Sequence, residues 1–205
     1  MYANGFGKLF KKGTGLKQIP GTRILHYDNW ELSNSENANY NLYLYTNDFM
    51  AHETWKMIET AMGDAVNNGD YVYDSNLDLY VPTNPNARFI EVNTQDETFT
   101  TIFRYYQAVV GAGGESINLL TLNFHGWHDK VIVNHDAQDP PTGWNHPQNA
   151  VTKNTMQNLW NNGVRIDQFH FSACHTGDPV LVGKNFAETI AIMYSAITEG
   201  AEGTI

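Results

Sequence analysis

A three-layer α/β/α sandwich around a mainly parallel sheet is the fold class this sequence predicts. Three observations point to it. Aromatic and β-branched runs alternate along the chain with amphipathic helical stretches, and such alternation builds right-handed crossover units over a parallel sheet. One run, INLLTLNF at 117–124, is nearly continuous in apolar residues, as expected of a strand covered on both faces. Three of the four helical stretches stop at glycine or Asn-Gly, the residues that end a helix and let the chain turn back toward the sheet.

Residues 1–21 are rich in glycine and lysine and read as a flexible basic N-terminal extension. A solvated arm is the ordinary explanation of its charge, and an anion-binding or docking patch the sharper one. TRILHY (22–27) and YNLYLYT (40–46) give the first strand signals, between Asn-rich turns. Residues 52–69 set Trp55, Ile58, Met62 and Val66 at helical spacing and stop at Asn68-Gly69. LDLYV and RFIEV follow as short strands across the loop PTNPNA. A helix is expected over 96–114, with acidic residues in its first turn, Phe99, Ile102, Phe103 and Tyr106 along it, and glycines at its end. The strand at 117–124 comes next, then KVIVN (130–134) as a short strand in a hairpin. Beyond the Pro-rich loop DPPTGWNHP, residues 150–163 place Met156, Leu159 and Trp160 on one helix face. VRIDQFHF (164–171) is a strand, and 182–197 form the final helix. The expected domain therefore runs over 22–205.

Composition narrows the function classes. The chain has 205 residues, 41% hydrophobic and 13% aromatic, which suits one packed domain rather than a disordered chain. A formal net charge of −10 disfavours nucleic acid and anionic membrane surfaces as partners. Nothing approaches the ~18 consecutive apolar residues of a membrane span. No signal-peptide pattern opens the chain, so the sequence leaves the compartment open between cytoplasm and a leaderless export route. A single cysteine, Cys174, excludes an intramolecular disulfide and any multi-thiolate zinc site.

That cysteine stands in VRIDQFHFSACHTGDP, just past an apolar strand. A lone cysteine on a buried strand is usually a small core hydrophobe. This one follows the strand instead, among Ser172, His175, Thr176, Gly177 and Asp178. The strand at 117–124 ends in the same manner, in His125-Gly126. In parallel α/β sheets, ligands sit at the carboxyl ends of the strands, so neighbouring strands would bring His125 and Cys174 to one edge. A thiolate is the nucleophilic form of cysteine, and a histidine supplies its base. The backbone N–H groups of Gly126 and Cys174 are candidate oxyanion donors.

LTLNFHGWHDKVIV followed by FHFSACHTG resembles the histidine strand and cysteine segment of the caspase-like cysteine peptidases. That group includes caspases, clostripain, gingipains, separases, CHAT domains and self-cleaving toxin proteases. The resemblance covers about residues 38–197 as element order plus two short motifs, and NFAETIA is similar to the helix after the cysteine in several of these families. It implies a caspase-like fold and a thiol endopeptidase working through a Cys-His dyad, with Cys174 as nucleophile, His125 as base and Gly126 as oxyanion donor. No cofactor is implied. The implied partner is a protein or peptide substrate, or the parent chain itself within a larger effector or toxin. Activation by inositol hexakisphosphate, used by the toxin proteases, fits poorly with the few basic residues beyond the N-terminal arm. After the last helix the family fold continues with two more strands, which this chain is expected to lack.

His128, His175 and Asp178 are candidates for the rim of the substrate site. His125, His128 and His175 with Cys174 satisfy zinc's ligand preference, which gives a zinc-dependent hydrolase as one alternative. Against it, the His-x-x-His spacing suits a helix face, whereas His125 ends a strand. His135 and His146 lie in the adjoining loop region. Asp129 and Asp136 read as solvated loop acids, or as groups that orient a histidine. Asp167 and Asp178 lie near the cysteine strand and are candidate acids of a pocket for a basic side chain. A non-catalytic interaction module with a buried Cys174 is the other alternative.

Overall fold

The computed structural model describes residues 15–35, 37–46, 54–127, 129–133, 150–173, 184–195 and 197–200. Along the chain run β1 (Leu16–Gln18), β2 (Leu25–Tyr27), β3 (Asn41–Tyr45), α1 (Thr54–Asn67), β4 (Tyr71–Asp74), β5 (Leu79–Pro82) and β6 (Arg88–Glu91). They are followed by α2 (Gln95–Gly111), β7 (Ile117–Asn123), β8 (His125–Trp127), β9 (Lys130–Ile132), β10 (Ala150–Thr152), α3 (Lys153–Asn161), β11 (Ile166–Phe171), α4 (Phe186–Tyr194) and β12 (Ile197–Gly200).

The central sheet has the order β12-β11-β7-β3-β6, and every pairing in it is parallel. The mixed α/β class with a parallel sheet flanked by helices is therefore as the sequence predicts. Placement of the helices follows from handedness. The crossover from β3 through α1 to β6 runs toward one edge, while those through α2, α3 and α4 run toward the other. Right-handed connections then set α1 on one face and α2, α3 and α4 on the opposite face. The buried clusters agree. Leu42, Leu44, Leu120, Leu122, Phe169 and Phe171 pack with Ile102, Tyr105, Met156, Leu159 and Ile190 from the three helices. Tyr43, Tyr45, Phe89 and Leu119 pack with Ile58, Ala61, Met62 and Ala65 of α1. Val66, expected on the buried stripe of α1, is 37% exposed.

The helix boundaries have local causes. Thr94 caps α2 by accepting from the Glu97 N–H, and Asn185 and Glu188 cap α4 reciprocally. The turns after α1, α2 and α3 each place a glycine at positive φ: Gly69 (76°), Gly113 (88°) and Gly163 (86°). In this conformation a Cβ is unfavourable, so these positions reverse the chain into the next strand. Phe99, Phe103, Tyr106 and Trp160 lie partly buried against the core, as their spacing predicted.

Two expectations are corrected. The strands expected to be missing after the last helix are not both missing: Ile197–Gly200 forms β12 parallel to β11. Its short, mixed sequence ITEG gave no strand signal, and pairing with β11 supplies what propensity does not. Residues 15–21, placed in a flexible extension, are folded: β1 pairs antiparallel with β2, and Ile19 is buried beside α1's cluster. The turn chemistry overrides the lysine-rich composition there, with Gly15 and Gly21 both at positive φ. The structure also adds β4, paired with β5, and β10, paired with β9.

At the amino-terminal end of the sheet two buried charges are held by hydrogen bonds. Asp70 accepts from Asn41 Nδ2 (2.7 Å), Tyr43 Oη (2.5 Å) and Asn84 Nδ2 (2.7 Å). Arg88, 1% exposed, donates to the carbonyls of Asn29, Glu31, Pro85 and Ala87. Burial lowers its pKa, and these carbonyls satisfy the guanidinium without a carboxylate.

Candidate functional site

Numbered by appearance, the parallel strands stand in the order 2-1-3-4-5, which reverses direction between β3 and β7. Crevices outside the carboxyl ends of strands at such a reversal are the usual ligand sites of open α/β sheets. β7 reaches this point at Asn123. The chain bends at Phe124 and enters β8 at His125, which pairs with Ile132 of β9, while Gly126 pairs with Val131. Together with β10 these strands form a three-stranded antiparallel sheet that holds His125 and Gly126. The expected hairpin is thus present, and it orients the histidine. His125 is half-buried and Gly126 buried.

β11 lies beside β7, with Phe171 opposite Leu122. His125 and Cys174 are each three positions beyond that shared rung. The described chain continues past β11 through half-buried Ser172 and buried Ala173. Cys174 lies outside the described residues, as do His128, His175, Asp178, Asp136, His135 and His146. Of the site residues expected from the sequence, the structure therefore describes His125 and Gly126. Among the described residues no group of three or more His, Cys, Asp and Glu side chains is placed to hold a metal.

Asp129 is exposed in the turn between β8 and β9. Asp167 belongs elsewhere than expected. It lies at the start of β11 and accepts from Ser116 Oγ at 2.7 Å, about 20 Å of extended chain from Ala173. Its position at the amino-terminal end removes it from any pocket around the strand tips.

Three side chains near this edge carry chemistry that sequence reasoning did not single out. Asp64 in α1 accepts from Ser172 Oγ at 2.9 Å. His170 Nδ1 lies 3.8 Å from the same carboxylate oxygen, and His170 Nε2 lies 3.4 Å from Ser172 Oγ. Burial pushes the Asp64 carboxyl above its ordinary pKa, opposed by His170 and by the bond from Ser172. The signal was the alternation of IDQFHFSA, which places Gln168, His170 and Ser172 on one side of the strand. Nearby, Thr46 Oγ1, Thr121 Oγ1 and Asn123 Oδ1 are buried with no hydrogen-bond partner.

A second feature of the same edge is a cavity of about 300 Å³ at the carboxyl ends of β3 and β6. Tyr27, Trp30, Tyr45 and Phe89 give it aromatic walls, with Asp28 and Glu91 as acids. Lys17 pairs with Asp28 and lowers its pKa. His26, also in the lining, is held below its ordinary pKa by burial.

In comparisons with known proteins, no family model, no curated protein and no solved structure matches the chain. Among the described residues no helix is long and apolar enough to cross a membrane.

Proposed function

We propose that the chain is a caspase-like cysteine endopeptidase in which Cys174 is the nucleophile and His125 the base. The observation that carries this reading is the parallel pairing of β7 with β11, which leaves His125 and Cys174 the same number of residues beyond one rung. The position of His125 at the sheet's reversal point supports it as well.

In the reaction proposed, the Cys174 thiolate adds to a peptide carbonyl and a C–S bond forms. The Gly126 and Cys174 N–H groups receive the oxyanion. The C–N bond then breaks, and the amine leaves with a proton from the His125 imidazolium. Water, giving its proton to His125, adds to the thioester carbon and releases the acid and the thiolate. The substrate is a protein or peptide, the parent chain included, and the aromatic, acidic cavity at the ends of β3 and β6 suits a cationic or aromatic side chain beside the cleaved bond.

Labelling with peptidyl acyloxymethyl ketones bearing Asp, Arg, Lys or Leu next to the reactive group tests this reading. Wild type is expected to be labelled at Cys174, and Cys174→Ala and His125→Ala to lose the label. If iodoacetamide modifies the unfolded chain but neither reagent touches the native one, Cys174 is a core residue and the peptidase reading is wrong. Zinc in the purified protein, with labelling of Cys174 that rises when the metal is chelated, would favour a metal-dependent site instead.

A further inference from the structure

The underside of β11 is unlike that of its neighbours. α1 packs across β3 and β7, so the α1-facing residues of β11 lie at the flank of that helix. Phe169 and Phe171, on the opposite side, are fully buried. Gln168, His170 and Ser172 are half-buried. Asp64 reaches this flank from α1, with its side chain only 13% exposed.

An aspartate there is costly. A buried carboxylate loses hydration, and a well-packed apolar side chain is often as stabilising as a buried charged contact. What the carboxylate provides is a directional tie. Ser172 Oγ donates to Asp64 across 108 positions of sequence, joining α1 to the segment just past β11. His170 faces the same oxygen and closes a three-membered polar cluster.

Aspartate, histidine and serine together invite comparison with a serine hydrolase triad, but the proton connectivity differs. In a triad the serine hydroxyl points to the imidazole, and the carboxylate holds the imidazole from the other side. Here the hydroxyl is 2.9 Å from the carboxylate and 3.4 Å from the imidazole nitrogen. Its proton is committed to Asp64, so Ser172 is anchored rather than activated.

We propose that Asp64 is a positioning residue that acts through Ser172, clamping the end of β11 to α1 and fixing the backbone from which Cys174 departs. The inference rests on the reading of Cys174 as the nucleophile. Ser172 stands two residues before Cys174, and a thiolate displaced by about 1 Å can lose on the order of a hundred-fold in rate. His170 backs the clamp by filling the space beside the carboxylate.

The test compares wild type, Asp64→Ala, Ser172→Ala and Ser172→Thr by amide hydrogen exchange and by acyloxymethyl ketone labelling. With the clamp broken, amides of 170–173 should exchange at least about ten-fold faster while those of β3 keep their protection. Labelling of Asp64→Ala and Ser172→Ala should slow at least about ten-fold, their reaction with iodoacetamide, which reads thiolate alone, staying near wild type. Ser172→Thr, which keeps the hydroxyl, should recover most of the labelling rate. Unchanged exchange at 170–173 overturns the clamp. Faster exchange with unchanged labelling overturns its role toward Cys174. If wild type itself takes no label, the peptidase reading fails, and the positioning role fails with it. The exchange arm then still decides whether the tie exists. Should Asp64→Ala fail to fold, Ser172→Ala carries both measurements.

Discussion

The two faces of the central sheet are built from the same strands yet differ in kind. Under α2, α3 and α4, the inward residues are Leu42, Leu44, Leu120, Leu122, Phe169 and Phe171, each 0% exposed. Toward α1, Tyr43, Tyr45, Phe89 and Leu119 form an apolar patch, but Asn41, Thr121, Asn123 and His170, with Ser172 just past β11, set polar groups beside it, and Asp64 and Asp70 meet them from below. A fully buried Leu or Phe contributes roughly 1.5–3 kcal/mol, whereas a buried polar atom without a partner costs about 1–3 kcal/mol. One face supplies stability without direction. The other, apolar only in part, gives up some of that stability for hydrogen bonds that specify where particular chain segments sit, including the segment that precedes Cys174.

The largest effect should come from the apolar face. Phe169 stacks on Phe171 with centroids 5.7 Å apart and meets Tyr194 edge-on at 5.0 Å. Phe169→Ala should destabilise by about 3–5 kcal/mol, read as a lower urea midpoint at unchanged slope. A loss under about 1.5 kcal/mol would mean that the cavity collapses easily, and the contrast between the faces would weaken.

Next comes Asp70, the best-satisfied polar group of the α1 side. Asp70→Ala leaves donors on Asn41, Tyr43 and Asn84 without their acceptor, with an expected loss of roughly 2–4 kcal/mol in the same urea experiment. Asp70→Asn should lose less, because its remaining amide oxygen still accepts. Equal losses in the two variants would show that the negative charge, rather than the acceptor geometry, does the holding.

The difference between the faces also explains how much was legible in the sequence. The run 117–124 was readable as a doubly covered strand because its apolar residues face α2 and α3 on one side and α1 on the other. The glycine stops were readable because only a residue without a Cβ reverses the chain cheaply there. His125-Gly126 was readable as a strand-end motif, and its neighbour strand was inferred from element order. Asp64 was not readable, since its partner Ser172 lies 108 positions away, and a single aspartate inside a helix carries no local pattern. β12 and β1 were hidden for a related reason: three or four residues form a strand there because a partner strand is present, not because of propensity.

A smaller effect, of opposite sign, is expected at Thr121. Its hydroxyl is buried without a partner, at the register position opposite His170. Thr121→Val removes that group at nearly constant shape and should leave stability unchanged or raise it by up to about 1 kcal/mol. A clear loss of stability would show that the hydroxyl is satisfied in solution, most simply by a bound water, and would sharpen the view of this face as a wet, polar one.

The subtlest effect is the pH dependence of Asp64. Burial holds its carboxyl above the ordinary value, so the folded protein binds that proton more tightly than the unfolded chain does. The resulting stabilisation is fully present below the unfolded pKa of about 3.9 and is lost as pH rises through the higher folded value. The amide that replaces the carboxyl in Asp64→Asn does not titrate. The stability of wild type minus that of the variant should therefore fall as pH is raised from about 3.9 toward neutrality, which urea midpoints measured at a series of pH values would show. A difference that grows with pH would mean that the His170 and Ser172 interactions outweigh burial and that the carboxylate is held ionised. The polar face would then gain stability from its charge rather than give it up. The clamp on Ser172 would be stronger for it, because a carboxylate accepts a hydroxyl proton more firmly than a neutral acid does.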